Sequence, residues 1–156
     1  MCYDRSWMPS YRVAFVVQRY GLEVNGGAEY HCRQLAERLA FRDDVQSVTV
    51  LTTCARDYRT WQNYYASGVE VVNRVQVERF RVISPRRPAL QAVLQRGLRH
   101  VPHPDALEEL WLRVQGPNVP ALLQCLRERH DSFDVIVFFT YLYYPTVFGI
   151  TIPRGN

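Results

Sequence analysis

The stretch from Arg12 to Glu29 constrains the fold more than any other part of the chain. Val13 to Val17 is continuously apolar, the pattern of a parallel strand covered on both faces. A polar loop with Gly21, Gly26 and Gly27 follows. An amphipathic pattern comes next, with Ala28, Cys32, Leu35, Ala36 and Leu39 on one stripe. This order puts a helix N-terminus, with its unpaired N–H groups and partial positive charge, at the carboxyl end of a strand. Such a terminus suits a phosphate or another anion. Gly26 and Gly27 also admit a purely structural explanation, a backbone that needs positive φ or a close helix–strand approach. Glu29, in the first helical turn, is accounted for by favourable placement against the helix dipole.

The remaining pattern extends this unit. Residues 1–10 read as a disordered lead-in and residues 11–156 as one domain. The first strand covers about 12–18 and the first helix about 27–41. Ser47 to Thr53, rich in β-branched residues, is a second strand. Tyr58 to Tyr65 reads as a short helix ended before Gly68. Val69–Val72 and Val75–Val82 alternate, giving one or two strands with one wet face. A basic amphipathic helix is expected over Ala89–His100. Another runs from Asp105 to about Val114, with Asp105 as the cap and Glu108 completing a capping box. A third opens at Pro120, with Val119, Leu122, Leu123 and Leu126 on its apolar stripe. Phe133 to Phe139 reads as a second fully buried strand. Strands alternating with helices give an α/β domain with a mainly parallel sheet and right-handed crossovers. Ligands of such sheets sit beyond the carboxyl ends of the strands, where strand order reverses. The first strand and the Phe133–Phe139 strand are the expected neighbours at that point. Their following loops, 18–27 and 140–146, should line one crevice.

Several chemistries are excluded by spacing. A dinucleotide site needs G-x-G-x-x-G directly after the first strand and an acid near the end of the second. The loop here is longer, and the second strand ends in Thr52-Thr53. No G-K-[ST] triplet exists for a P-loop. Cys2, Cys32, Cys54 and Cys125 form no C-x-x-C pair, so zinc-ribbon and thioredoxin-like readings fail. Cys32 and Cys125 fall on helix faces as small buried thiols. His100 and His103 make H-x-x-H between prolines with no third ligand nearby, so no metal site is expected. His31, on the first helix, reads as structural or solvent-facing. No Ser/His/Asp or Cys/His set stands out, and no nucleic-acid motif is present.

The net charge of +4 comes with 19 basic residues, all of them Arg. Arg86, Arg87, Arg96 and Arg99 near the basic helix fit either a solvated face or contact with an anionic membrane surface. Val135 to Pro153 carries no charge, but Pro145 and its Thr and Tyr residues favour a strand and a loop over a membrane span. A reducing cytoplasm is the expected compartment, with no signal peptide before the first strand. Past the last strand, Tyr141 and Tyr144 offer flat rings with polar tips, suited to sugar faces, while Phe138 and Phe139 belong to the core.

Arg12-Val-Ala-Phe-Val-Val17 with Asn25-Gly-Gly-Ala-Glu29, then Leu35-Ala-Glu-Arg-Leu39 and Val48-Thr-Val-Leu-Thr-Thr53, resembles the N-terminal half of a GT-B glycosyltransferase of the family 4 type. Trp111–Pro117, containing Gln115-Gly-Pro117, and Phe138-Phe-Thr-Tyr-Leu-Tyr-Tyr-Pro-Thr146 resemble one bacterial branch of that group. The resemblance covers about residues 12 to 150. It implies a Rossmann-like domain that mainly holds the acceptor, with Gly26 and Gly27 approaching the diphosphate of a nucleotide-sugar donor. Only those two glycines are carried over from the resemblance; Thr140, Tyr141 and Tyr144, past the last strand where the crevice is expected, are the acceptor-side candidates. Many relatives place a His just after the strand matching Phe133–Phe139, where this chain has Thr140-Tyr141. The resemblance further implies a retaining, metal-independent transfer to a glycan or lipid-linked acceptor, without a bound cofactor. It also implies a second Rossmann-like domain that carries the donor site and paired glutamates. Asn156 falls before that domain, so the expectation is an incomplete, inactive half that is cytoplasmic, either free or peripheral to the inner membrane face. The competing expectation is a non-catalytic Rossmann-like module that binds an anion or a protein.

Overall fold

A computed structural model describes residues 10–99 and 102–154. The expected lead-in and His100 therefore lie outside the described residues, apart from residue 10. The domain is α/β, with a five-stranded sheet in the order β3-β4-β2-β1-β5. The strands are β1 (Tyr11–Val16), β2 (Val45–Thr53), β3 (Gly68–Val72), β4 (Val75–Phe80) and β5 (Val135–Phe138). The helices are α1 (Gly27–Leu39), α2 (Pro88–Gly97), α3 (Asp105–Gln115), α4 (Pro120–Arg129) and α5 (Tyr144–Gly149). Strands β4, β2, β1 and β5 run parallel, and β3 is antiparallel to β4. The architecture is compatible with a Rossmann-like fold.

The pleat of β1 divides the core between two layers. Val13, Phe15 and Val17 pack with Val48, Val50, Val75 and Val77 under Cys32 and Ala36 of α1. Val16 faces the other way and packs with Leu51 against Leu122, Leu123 and Leu126 of α4 and Tyr144 of α5. Helix α4 carries the apolar stripe expected for it. On α1 the expected stripe is only partly right. Cys32 and Ala36 are buried, but Leu35 is exposed and Glu29 is buried in its place. Burial holds the Cys32 thiol well above its ordinary pKa.

Three further expectations are corrected, and the one-or-two-strand reading of 69–82 resolves to two. Tyr58–Tyr65 is not a helix. It is a series of turns fastened by a bridge between Ala55 and Asn63. Asp105 does not cap α3. Pro104 occupies the cap without a side-chain hydrogen bond, and Glu108 lies 3.4 Å from the His103 Nε2 instead. The 69–82 region is a hairpin turned at Asn73-Arg74, with φ of 48° and 69°, the positive values that suit a tight two-residue turn. Strand β5 is not buried on both sides: it is the sheet's edge, with Val135 44% exposed. A groove of about 640 Å³ runs along it, between His130, Asp134, Ile136, Ile150 and Pro153.

At its start β5 is tied to β1 by one carboxylate. Asp134 accepts from the Arg12 backbone N–H at 2.7 Å and from its Nε and Nη2 at 3.1 and 2.9 Å. These bonds pull its pKa down to about 2, below the ordinary carboxylate value near ~4. A depressed folded-state pKa stabilises above the unfolded value and loses that contribution as pH falls through the folded one. Urea midpoints of the parent and Asp134→Asn should therefore differ at pH 5 and converge toward pH 2. A gap that stays constant over that range would contradict this account.

Candidate functional site

Strand order reverses between β1 and β5. The β1–α1–β2 connection lies on one face of the sheet, and α4 returns on the other to place β5 beside β1. The two strands diverge there. The Phe139 N–H still donates to the Val16 carbonyl at 2.8 Å, while the Val17 N–H donates to Leu51 on the opposite side at 3.2 Å. The loops after β1 and β5 meet the start of α1 at this point, the place where the crevice was expected.

Gln18, Arg19 and Glu29 organise it, and none had been singled out as a site residue. Gln18 Nε2 donates to Glu29 Oε1 at 2.9 Å, and the Thr140 hydroxyl donates to Gln18 Oε1 at 3.1 Å. The Thr53 hydroxyl donates to the Gln18 carbonyl at 2.7 Å. Gln18 thus links the end of β2 and the loop after β5 to α1. Arg19 Nε donates to Glu29 Oε1 at 2.9 Å, its Nη2 makes a second, shorter contact to the same oxygen, and its Nη1 donates to the Arg56 carbonyl at 3.0 Å. All three side chains are nearly closed to solvent. The available sequence signal was a pair of polar residues continuing an apolar strand at its carboxyl end.

The two candidate glycines separate in role. Gly26 has φ of −71° and ψ of 147°, which any residue adopts, so positive φ is not the reason for it. A Cβ at Gly26 would run into the Glu29 carboxylate and come within 2.9 Å of Arg19 Nη2. Its missing side chain makes room for the buried ion pair. Gly27 is exposed, with nothing within 4 Å of the place a Cβ would occupy. The first turn of α1 is open to an approaching group there.

Of the acceptor-side candidates, Thr140 lies in the crevice wall with φ of 69°, a costly conformation for a β-branched residue that clusters at functional sites. Tyr141 is 79% exposed beside it. Tyr144 does not face the crevice. It is 3% exposed, sits in the α4–α5 core and packs its ring 4.8 Å from that of Phe148. A proline at the second position of α5 starts the helix early and turns Tyr144 inward. His31 is exposed and sets its ring edge-on to Phe139 at 5.6 Å.

No protein-family model, curated protein or solved structure matches this chain. The chemistry of the crevice is the remaining guide. It offers an exposed Gly27 at a helix N-terminus with its dipole, a hydroxyl and an exposed tyrosine. Among the described residues no group of three or more His, Cys, Asp or Glu side chains could hold a metal ion, and no helix is long and apolar enough to cross a membrane. Val135–Pro153 is instead β5, a loop and α5.

Proposed function

We propose that this domain is the acceptor-side part of a nucleotide-sugar-dependent glycosyltransferase with a GT-B arrangement. The observation that carries the reading is Gly27, exposed at the start of α1 where β1 and β5 diverge. A diphosphate brought there meets N–H groups and the positive end of the helix dipole. Both favour the charge that builds on a departing nucleoside diphosphate as the sugar leaves. Thr140 and Tyr141 lie on the acceptor side of the same crevice. Transfer is retaining and needs no metal in this scheme, with the nucleoside held by a second α/β unit. Glu29 does not oppose the anion, because Arg19 offsets its charge and Gln18 hydrogen-bonds it.

One observation favours a second reading, a non-catalytic anion- or protein-binding module. Glu29 is itself an anion folded onto the first turn of α1, so the helix end is partly answered without a ligand. Titration of the chain with uridine diphosphate, followed by amide NMR, separates the two. The glycosyltransferase reading expects shifts at Gly27, Ala28 and Thr140. It also expects Gly27→Leu, which fills open space and should fold normally, to bind about tenfold more weakly. Shifts confined to other surfaces, or binding indifferent to Gly27→Leu, would leave only the second reading.

A further inference from the structure

Beside the crevice lies a groove that the diphosphate scheme does not use. It runs between the turns after β2 and the segment after β4. One part, of about 510 Å³, is lined by Thr60, Gln62, Asn63, Arg81, Ile83 and their neighbours. A smaller part, of about 170 Å³, shares Thr60, Gln62 and Asn63 and ends at Arg56 and Tyr64.

The groove is built rather than incidental. Asn63 Nδ2 donates to the Val82 carbonyl at 2.9 Å, and the Val82 N–H donates back to Asn63 Oδ1 at 2.9 Å. Arg86 fastens the opposite wall through the Tyr58 carbonyl at 3.0 Å and a backbone bond to the Thr60 carbonyl at 2.9 Å. Trp61 anchors the floor with φ of 57°, a backbone state that a bulky residue adopts only when its surroundings enforce it.

Its lining carries two cations, Arg56 and Arg81, against one acid. Asp57 is the acid in the lining, and its carboxylate is taken up by the Thr60 N–H and hydroxyl at 3.0 Å each. Among the described residues no carboxylate forms an ion pair with Arg56 or Arg81. The Arg56 guanidinium carbon lies over the Tyr64 ring, 4.0 Å from its centre, and Tyr64 is 58% exposed. Stacking leaves the edge N–H groups of the guanidinium free to bind an anion in bidentate fashion. The Gln62 side chain lies between the two cations, beside Thr60 and Asn63, whose polar groups are held by Asp57 and Val82. Tyr64 and the exposed Ile83 offer apolar surface for ring C–H faces.

We infer that this groove binds an acidic saccharide, its carboxylate or phosphate held by Arg56 and Arg81 and its hydroxyls by Gln62. The saccharide class rests on the glycosyltransferase reading, which it makes more specific: the acceptor is an anionic glycan. Arg19 connects the two places, bonding Glu29 of the crevice and the backbone of Arg56.

Calorimetric titration of the full chain with trigalacturonic acid, a phosphorylated hexose disaccharide and a neutral hexose trisaccharide tests this. At least one of the acidic ligands should bind about tenfold more tightly than the neutral one, and the preference should shrink with added salt. Arg56→Gln or Arg81→Gln should each remove most of that preference, while Arg127→Gln, on the exposed side of α4, should leave it. These arginines are exposed, so the variants fold. The tighter of the two acids identifies the anion. Equal binding of acidic and neutral ligands, no binding of either acid, or equal losses in all three variants would overturn the inference. Gly27→Leu should leave the acidic preference intact. A chain that keeps this preference but never binds uridine diphosphate would retire the diphosphate reading alone.

Discussion

Glu29→Ala lowers the unfolding free energy by about 3 kcal/mol, the cost of removing one partner from a buried ion pair. Glu29 is 5% exposed and is the acceptor for Gln18 Nε2 and for Arg19 Nε and Nη2. Without it, the Arg19 guanidinium stays largely enclosed with its charge uncompensated. The loss falls at the lower end of the range for buried pairs because Arg19 keeps two other interactions. It still donates to the Arg56 carbonyl and still faces the Tyr58 ring at 5.3 Å. Glu29→Gln keeps the volume and one acceptor, so it should cost less than the alanine change. Gly26→Ala destabilises through the same pair, because its new methyl group displaces the carboxylate. The two changes must then be non-additive. In the Glu29→Ala background the alanine at position 26 has room, and most of its penalty should vanish. Urea unfolding of the two single variants and the double variant measures this directly. Additive losses would show that Gly26 is required for another reason.

The same residues mark the limit of what the sequence disclosed. Continuous apolar runs announced β1 and β2 because a covered parallel strand cannot alternate. The repeat at Val119, Leu122, Leu123 and Leu126 announced α4 for an equally local reason. The neighbouring of β1 and β5 followed from topology. Burial of charge did not. Glu29 reads as an exposed dipole partner until Arg19, ten positions away, is folded back beside it. Tyr144 reads as a loop residue until Pro145 is seen to begin a helix. Edge status was equally hidden: Ile136 and Val137 are as apolar as a central strand requires, and only the absence of a described strand beyond β5 leaves them half covered. At Tyr58–Tyr65 the composition allowed a helix. Tertiary bonds from Asn63, Arg86 and the Cys54 carbonyl hold turns there instead. That override created the groove, so the region hardest to read locally became a candidate binding surface.

Trp61 supplies the second large effect. The side chain is 1% exposed, its Nε1 donates to the Gln115 carbonyl at 2.7 Å, and its ring meets Tyr143 edge-on at 5.5 Å. Trp61→Ala should cost about 3–5 kcal/mol, as expected when a buried aromatic is removed. The cavity opens beneath the groove, so binding of an acidic saccharide should weaken with it. Glycine at this position gives the more telling comparison. Elsewhere in ordered structure glycine is less stable than alanine by about 0.5–1 kcal/mol. At φ of 57° the order reverses, because an L-residue in the left-handed region carries a cost of roughly 1–2 kcal/mol that glycine escapes. Trp61→Gly should therefore be at least as stable as Trp61→Ala, although it removes more of the side chain. Thermal and urea unfolding of the pair give the sign without any need for an absolute scale. If alanine proved the more stable, Trp61 would not be holding a strained backbone, and the groove floor would owe its shape to Asn63 and Arg86 alone.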